Sequence, residues 1–237
     1  MELSEFQTTG ESPRILNKDL LDEVMPLYTE FVHGNEYLQG LEHGKGSNPL
    51  INGAFYKDLV DNNIGLRPAV PTDNVYDKDG IFSLIEDYEL YTHFNALDVF
   101  SNNTDHYKRN SQILEDVIAL AQKRKGSNVT FPFRLQGFYV IPDKGKGGAY
   151  GVQIEPADNF RIIEDAKLHY SGQFNSLDEH GLVVPNENGR FTKFTNTRGL
   201  SAVGLNYDGY LFSGSGNIGD SGISGRVALV SDDAYIE

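Results

Sequence analysis

The sequence predicts an α+β fold, with helices in the N-terminal half of the chain and mainly antiparallel strands in the C-terminal half. Two observations lead to this prediction. The clearest helical periodicity ends near residue 125, and the remaining chain contains short runs of β-branched and aromatic residues separated by turn residues. A chain of 237 residues can bury a core without disulfides, and no linker is evident. We therefore expect a single domain spanning residues 1–237.

The N-terminal half contains two weaker helical patterns around a long polar stretch. After a polar lead-in over residues 1–13, four apolar residues recur at four-residue spacing: Leu16, Leu20, Val24 and Tyr28. Pro26 within this pattern predicts a kink or two short helices. Residues 40–80 are dense in Gly, Asn, Pro and Asp, which predicts a long irregular stretch laid over the core. A short helix is expected from Ile81 to Tyr91.

The strongest helix prediction covers Ser111 to Lys125. One apolar stripe runs along it, formed by Ile113, Leu114, Val117, Ile118 and Ala121. Asn110 or Ser111 can cap its start, and Gly126 suits the left-handed position after its end. The basic residues at 123–125 complement the carbonyl end of the helix dipole.

Strands are expected throughout the rest of the chain. A hairpin joins Phe131–Ile141 to Tyr150–Ile154 around the glycine-rich turn that begins at Pro142. Shorter strands are predicted, in order, at Phe160–Ile163, Leu182–Val184, Arg190–Phe194, around Leu205, at Tyr210–Phe212 and at Arg226–Val230.

The composition of the chain limits the classes of partner. The net charge of −14 argues against a nucleic-acid partner, because phosphate binding requires concentrated Lys and Arg. The chain has no Cys, and no apolar run reaches membrane-spanning length. The acidic N-terminus does not resemble a signal peptide. We expect no membrane insertion and a cytoplasmic location by default, with display on a surface or a virion left open.

Several motifs resemble functional sites without completing them. Gly214–Gly219 matches the dinucleotide pattern, but the residues after it are poor helix formers. Asp77, Asp79 and Glu86 fall at EF-hand positions, yet Val75 occupies the first ligand position. The six histidines show no metal-binding spacing. These patterns predict no cofactor, no catalytic residues and no metal site, and whether a metal stabilises the 73–86 loop stays open.

The stretch from Gly199 to Ser224 has an unusual composition. It contains no Lys, Glu, Gln, Met or Trp, and Gly, Ser, Asn, Asp and Tyr dominate it, as they do in antibody paratopes. Regular apolar residues interrupt it, and a strand closes it. In addition, every residue from Asn206 to Ser224 can be reached from the asparagine codon AAC by changing only its adenines.

With these features, the chain resembles the variable proteins of diversity-generating retroelements, especially their archaeal branch. In that family an error-prone reverse transcriptase changes adenines of a template, and the copy replaces a C-terminal variable region. The resemblance covers about the last forty residues and includes the closing segment Gly225–Val230. It implies a C-type lectin-type fold whose terminal strands pair and whose variable residues face solvent.

The resemblance also divides the stretch into two sets of residues. The scaffold set is Leu200, Val203, Leu205, Leu211, Gly225 and Arg226. The expected outward-facing, ligand-binding set is Ala202, Gly204, Asn206, Tyr207, Asp208, Tyr210, Phe212, Gly214, Ser215, Gly216, Asn217, Gly219, Asp220 and Ile223. Alternation at 203–205 and 210–212 fits strands with one buried face.

The expected function is binding without catalysis. The ligand is an unknown protein or other macromolecule, with Tyr207, Tyr210 and Phe212 as anchors, and a monomer is favoured. Sugar-binding C-type lectins coordinate calcium through Glu-Pro-Asn and Trp-Asn-Asp elements. This chain has Glu155-Pro156-Ala157 and no Trp, so calcium-dependent sugar binding is not expected. Two alternatives stay open: an enzyme with its site on the 40–80 stretch, and a viral structural or receptor-binding component.

Overall fold

The computed structural model describes most of the chain from residue 46 onwards. The described residues are 14–15, 35, 37–38, 46–73, 75–76, 80–87, 89–102, 108–143, 149–196, 198–214, 217–222 and 224–232. The helical pattern predicted between Leu16 and Tyr28 lies outside these residues.

The described part of the chain contains three α-helices and eleven strands. The helices are α1 (Pro49–Asp61), α2 (Ile81–Asp87) and α3 (Lys108–Lys125). The strands are β1 (Arg14–Ile15), β2 (Leu66–Pro68), β3 (Tyr91–Val99), β4 (Phe133–Pro142), β5 (Val152–Glu164), β6 (Gly172–Leu177), β7 (Val183–Pro185), β8 (Phe191–Thr195), β9 (Leu200–Asn206), β10 (Tyr210–Gly214) and β11 (Ala228–Ser231). The prediction of an α+β fold is confirmed at this level.

The strands form one large and one small sheet. The large sheet has eight strands in the order β5-β4-β3-β9-β10-β8-β6-β7, and its pairs are antiparallel except for β8 with β10. The small sheet has the order β1-β11-β2, so the strand nearest the N-terminus pairs with the strand nearest the C-terminus. Both pairs in the small sheet are antiparallel.

The prediction of an irregular stretch over residues 40–80 was wrong for its described part. Helix α1 begins where Asn48 accepts a hydrogen bond from the backbone of Ile51, and Pro49 occupies the first turn. Gly53 lets this helix approach β4, because a Cβ there would lie 2.6 Å from a methyl carbon of Val140. The Asn, Pro and Gly residues that indicated a loop therefore supply a cap and a close contact.

Helix α3 confirms the strongest helix prediction, although it begins at Lys108, three residues earlier than expected. Asn110 is therefore inside the helix and does not cap it. Its side-chain oxygen instead accepts hydrogen bonds from the Tyr150 hydroxyl (2.5 Å) and the Ile218 backbone (3.3 Å). Gly126 has a φ of +72° and ends the helix as predicted.

Strand β3 was not predicted. Tyr91 was expected to end a helix, but α2 stops at Asp87 and Tyr91 begins the strand. The strand lies in the middle of the large sheet, with β4 on one side and β9 on the other. Asn95 and Asp98 interrupt its apolar pattern, yet both are fully buried and hydrogen-bonded to neighbouring strands. Strand β6 was also missed, and β5 joins two segments that were predicted separately.

Two clusters of buried apolar residues cover opposite faces of β9. Ala202 packs into the cluster that contains Ile218 and residues of α1 and α3. Val203 and Leu205 pack into the second cluster, with Phe82 and Ile85 of α2. The expectation that β9 has one buried face was therefore wrong, since a central strand is covered on both sides. Strand β10 does alternate between buried and accessible residues.

Among the described residues, no helix combines the length and the apolar character needed to cross a bilayer.

Candidate functional site

The pleat of the sheet places six of the predicted ligand-binding residues on one face. Strands β9 and β10 pair antiparallel, with Phe212 opposite Gly204 and Gly214 opposite Ala202. Paired residues share a face, and every second residue along a strand returns to it. This face therefore contains Ala202, Gly204, Asn206, Tyr210, Phe212 and Gly214. The scaffold residues Val203, Leu205 and Leu211 point to the opposite face and are buried.

Neighbouring strands extend this face with residues that the sequence analysis did not select. His93 of β3 lies opposite Gly204, and Tyr91 lies opposite Asn206. On the other side, Phe194 of β8 lies opposite Phe212. Strand β3 is more than 100 positions away in the chain, so no local pattern could have revealed its contribution.

A groove of about 460 Å³ opens on this face, within the usual size range of ligand pockets. Seven predicted ligand-binding residues line it: Ala202, Asn206, Tyr207, Phe212, Gly214, Asn217 and Asp220. The other lining residues come from two segments, Glu89, Leu90, Tyr91 and His93 before and within β3, and Ser221, Gly222 and Ser224 near the end of the chain. We refer to this feature as the β9–β10 groove.

His93 contributes a neutral ring to the groove. Its Nδ1 lies 2.7 Å from the carbonyl oxygen of Ser47, so Nδ1 carries the proton and Nε2 is left as the acceptor. Burial lowers the pKa of His93 to about 4, against the smaller opposing effect of this hydrogen bond. The imidazole is therefore uncharged at neutral pH.

Tyr91 fixes the segment near the C-terminus to the edge of the groove. Its hydroxyl accepts a hydrogen bond from the backbone of Gly222 at 2.5 Å, and its own backbone donates to Ser224 at 3.2 Å. The backbone of Arg226 in turn donates to the carbonyl of Tyr91 at 2.9 Å. These bonds hold Gly222, Ser224 and Arg226 beside β3.

Phe212 is the aromatic residue of β10 that lines the groove. Its ring meets His93 edge-on, with centroids 5.6 Å apart. It also covers Gly204, where a Cβ would lie 2.4 Å from the ring carbon Cζ. Gly204 is consequently buried, so its expected exposure to solvent was wrong. Gly214 has more space, because the nearest atom to a Cβ there is 3.6 Å away.

Residues 217–219 attach the predicted variable stretch to the core. Ile218 is buried, and the side-chain amide of Asn217 contacts the Tyr150 hydroxyl. Gly219 lies between two tyrosine rings, and a Cβ there would be 2.9 Å from Tyr150 and 3.0 Å from Tyr37. The expectation that Gly219 faces outward was wrong for this reason. Ile218 is an apolar anchor that the sequence analysis assigned to neither set.

The turn between β9 and β10 presents exposed side chains beside the groove. Asn206 stabilises this turn by accepting a hydrogen bond from the backbone of Tyr210 at 2.9 Å, and Gly209 adopts a φ of +79°. Tyr207 and Asp208 lie at its tip and are exposed. Tyr210 is also exposed, but its ring packs against Phe194, with centroids 5.2 Å apart, outside the groove. Phe194 is 53% exposed and precedes the predicted variable stretch.

A buried charge cluster lies on the opposite face of the same strands. Asp98 accepts hydrogen bonds from Arg134 at 2.6 and 3.0 Å and from the Ser213 hydroxyl at 2.6 Å. Lys193 lies close by and donates to the carbonyl of Leu168 at 2.8 Å. Burial alone would raise the pKa of Asp98, but the positive charge and hydrogen bonds of Arg134 outweigh it and hold the pKa below its usual value.

Three predicted ligand-binding residues, Ser215, Gly216 and Ile223, lie outside the described residues, as do Asp77 and Asp79 of the damaged EF-hand pattern. Within the described parts of the chain, no cluster of three or more His, Asp or Glu side chains has the arrangement of a metal site. In comparisons with protein families, with curated proteins and with solved structures, no match to this chain was found. The functional conclusions below therefore depend on geometry and chemistry.

Proposed function

We propose that this protein is a non-enzymatic ligand-binding protein whose C-terminal region is diversified to bind varied protein or other macromolecular targets. One observation supports this above all: alternate residues of β9 and β10 divide between a groove and a buried core. Asn206, Phe212 and Gly214 line the groove and are partly exposed, whereas the alternate residues Val203, Leu205, Leu211 and Ser213 are buried. Ala202 also lines the groove, but it is only 8% exposed and packs into the core. Side chains on the groove face can therefore change while the core residues that hold the strands stay constant.

We further propose that the fold is of the C-type lectin type. The mixed α+β architecture and the antiparallel pairing of the first and last described strands support this proposal. The position of β11 also supports it, because β11 is the next strand after β10 but lies in the small sheet. The acidic net charge favours a protein ligand over nucleic acid.

The diversification can be tested directly on DNA. We expect an untranslated near-copy of codons 199–226 close to the coding sequence, next to a reverse-transcriptase gene. Differences between the two copies should fall mainly at adenines of the untranslated copy. Sequencing the flanking DNA and finding no such repeat would contradict the diversification part of the proposal.

The division between the two faces can be tested with two matched libraries. One randomises Asn206, Tyr207, Phe212 and Gly214, which line the groove; the other randomises the same number of core positions, Val203, Leu205, Leu211 and Ser213. Both are displayed, sorted for folding with a protease, and selected against a panel of unrelated proteins. We expect the groove library to remain mostly folded and to yield binders, and the core library to be largely lost. Equal losses in both libraries, or no binders from the groove library, would overturn the proposed function.

A further inference from the structure

The charged residues that line the β9–β10 groove are all acidic. Glu89 and Asp220 line it and are exposed, and the described lining includes no Lys or Arg. Asp208 adds a third carboxylate on the adjacent turn. Arg226 lies beside Tyr91 at the edge of the groove, and its guanidinium donates to the carbonyl of Gly225 at 2.6 Å. His93 adds no positive charge at neutral pH.

Four aromatic rings contribute to the uncharged part of the groove lining. Phe212, Tyr91 and Tyr207 line it together with the neutral ring of His93. Aromatic faces attract cations through their quadrupole, and the attraction grows as water is excluded. Carboxylates beside such rings favour the same ligand charge, whereas an anionic ligand would meet repulsion from both.

A long basic side chain satisfies both features of the groove. The methylene groups of Lys or Arg can lie along apolar rings while the charged end reaches a carboxylate. The volume of about 460 Å³ leaves room for such a side chain together with a part of the surface that bears it. The net charge of −14 would also attract a basic partner from a distance and raise its association rate.

We propose that this version of the protein binds a basic protein surface and that a Lys or Arg side chain of the partner inserts into the β9–β10 groove. This inference depends on the proposed ligand-binding function and specifies the chemistry of the ligand.

The test uses the full chain and short blocked peptides in which Gly and Ser flank one central residue. The central residue is arginine, its neutral isostere citrulline, lysine, leucine or glutamate. Binding is followed by NMR titration at low ionic strength. We expect the arginine and lysine peptides to bind in the millimolar range, at least about fivefold more tightly than citrulline or leucine, with glutamate weakest. Equal binding of arginine and citrulline, or no binding of any peptide at millimolar concentration, would overturn the inference.

Two double variants separate the local carboxylates from the overall charge. Glu89→Gln with Asp220→Asn should weaken arginine binding about threefold to tenfold and leave leucine binding unchanged. Glu179→Gln with Glu187→Gln removes the same charge from exposed positions outside the groove and should change neither affinity. An equal loss in the control variant would mean that arginine responds only to net charge, which would contradict insertion into the groove.

A failure of the inference about basic partners can be told apart from a failure of the proposed function. If the groove library yields binders to varied targets while this chain shows no preference for arginine, only the inference about basic partners is wrong. If the groove library unfolds or binds nothing, the proposed function is wrong whatever the peptides show.

Discussion

The two faces of β9 and β10 differ in what a substitution must disturb. On the groove face, the Phe212 ring contacts His93 and lies over Gly204, and a Cβ at Gly214 would make only an ordinary van der Waals contact with Phe212. On the core face, only one residue away along the strand, Leu211 is buried among aromatic rings and Ser213 donates to Asp98. The comparison indicates that a strand pair can keep its pairing and core fixed while one set of alternate side chains varies.

The largest expected effect comes from breaking the charge cluster on the core face. Asp98→Ala leaves the Arg134 guanidinium buried without its carboxylate, and we expect the free energy of unfolding to fall by about 3–5 kcal/mol. Urea denaturation measures this loss. The double variant Asp98→Leu with Arg134→Met should be less destabilised than Asp98→Ala, because it removes both charges of the ion pair and leaves only Lys193 without its neighbouring carboxylate. A loss below about 1 kcal/mol for Asp98→Ala would contradict the role given to the cluster.

Adjacent residues on opposite faces give the most direct comparison. Leu211→Ala removes a side chain that is 1% exposed and should lower the free energy of unfolding by about 3 kcal/mol. Phe212→Ala, a larger truncation on the groove face, should cost about 1 kcal/mol or less, because the ring is partly exposed. Denaturation of the two variants under identical conditions checks the order, and a reversal would remove the basis for the two-face division.

The pH dependence of the free energy of unfolding tests whether folding keeps the His93 ring neutral. An unfolded histidine gains a proton below about pH 6.5, whereas folded His93 does so only near pH 4, so the unfolded state binds more protons in between. Its contribution to stability is therefore present above pH 6.5 and is lost as the pH falls towards 4. From about pH 7.5 to about pH 5 the free energy of unfolding should fall by about 2 kcal/mol from this residue.

The variant His93→Asn isolates that contribution. Its amide nitrogen can replace Nδ1 as the donor to Ser47, but it does not titrate. Its stability should change less than that of the native chain across the same pH range. Parallel pH curves for the two proteins would mean that His93 is not held neutral by burial.

The smallest expected effects distinguish two glycines on the groove face. Gly204→Ala should cost about 1 kcal/mol, since its Cβ would be 2.4 Å from the Phe212 ring and 3.0 Å from the carbonyl oxygen of Thr92. Adding Phe212→Ala should recover most of that cost, which a double-mutant cycle measures. Gly214→Ala is the matched control and should stay within about 0.5 kcal/mol of the native chain. Additive effects of the first two substitutions would show that positions 204 and 212 vary independently.

The sequence predicted the parts of the fold in which local chemistry decides the structure. Helix α3 has a continuous apolar stripe, basic residues at its last turn and a glycine after it, so its existence and its end were predicted. Strand β10 also alternates as its residues indicate. The prediction for residues 40–80 failed because composition does not show whether Asn, Pro and Gly belong to a loop or to a helix. Here Asn48 and Pro49 begin a helix and Gly53 allows its close contact with β4.

The residues of the groove were predicted only within the stretch from Gly199 to Ser224. Its glycines looked interchangeable, yet Gly204 lies under an aromatic ring, Gly219 lies between two, and Gly214 is free of close contacts. A Gly residue gives no signal of its own about what surrounds it. Tyr91 and His93 were missed because strand β3 was missed, and Glu89 directly precedes that strand. Phe194 was missed because it precedes the stretch from Gly199 to Ser224.

The sequence by itself determined which residues of β9 and β10 share a face, because the pleat alternates at every residue regardless of what lies around it. It also indicated the apolar residues that hold the stretch, since burial of Val203, Leu205 and Leu211 follows from their chemistry. Only the tertiary structure decided which strand lies beside β9, and therefore that His93 and Tyr91 complete the groove. The tertiary structure also supplies the partners that allow the polar residues of β3 to be buried in a central strand. Both outcomes depend on hydrogen-bond partners and ring contacts from distant segments, such as Asp98 with Arg134 and Ser213.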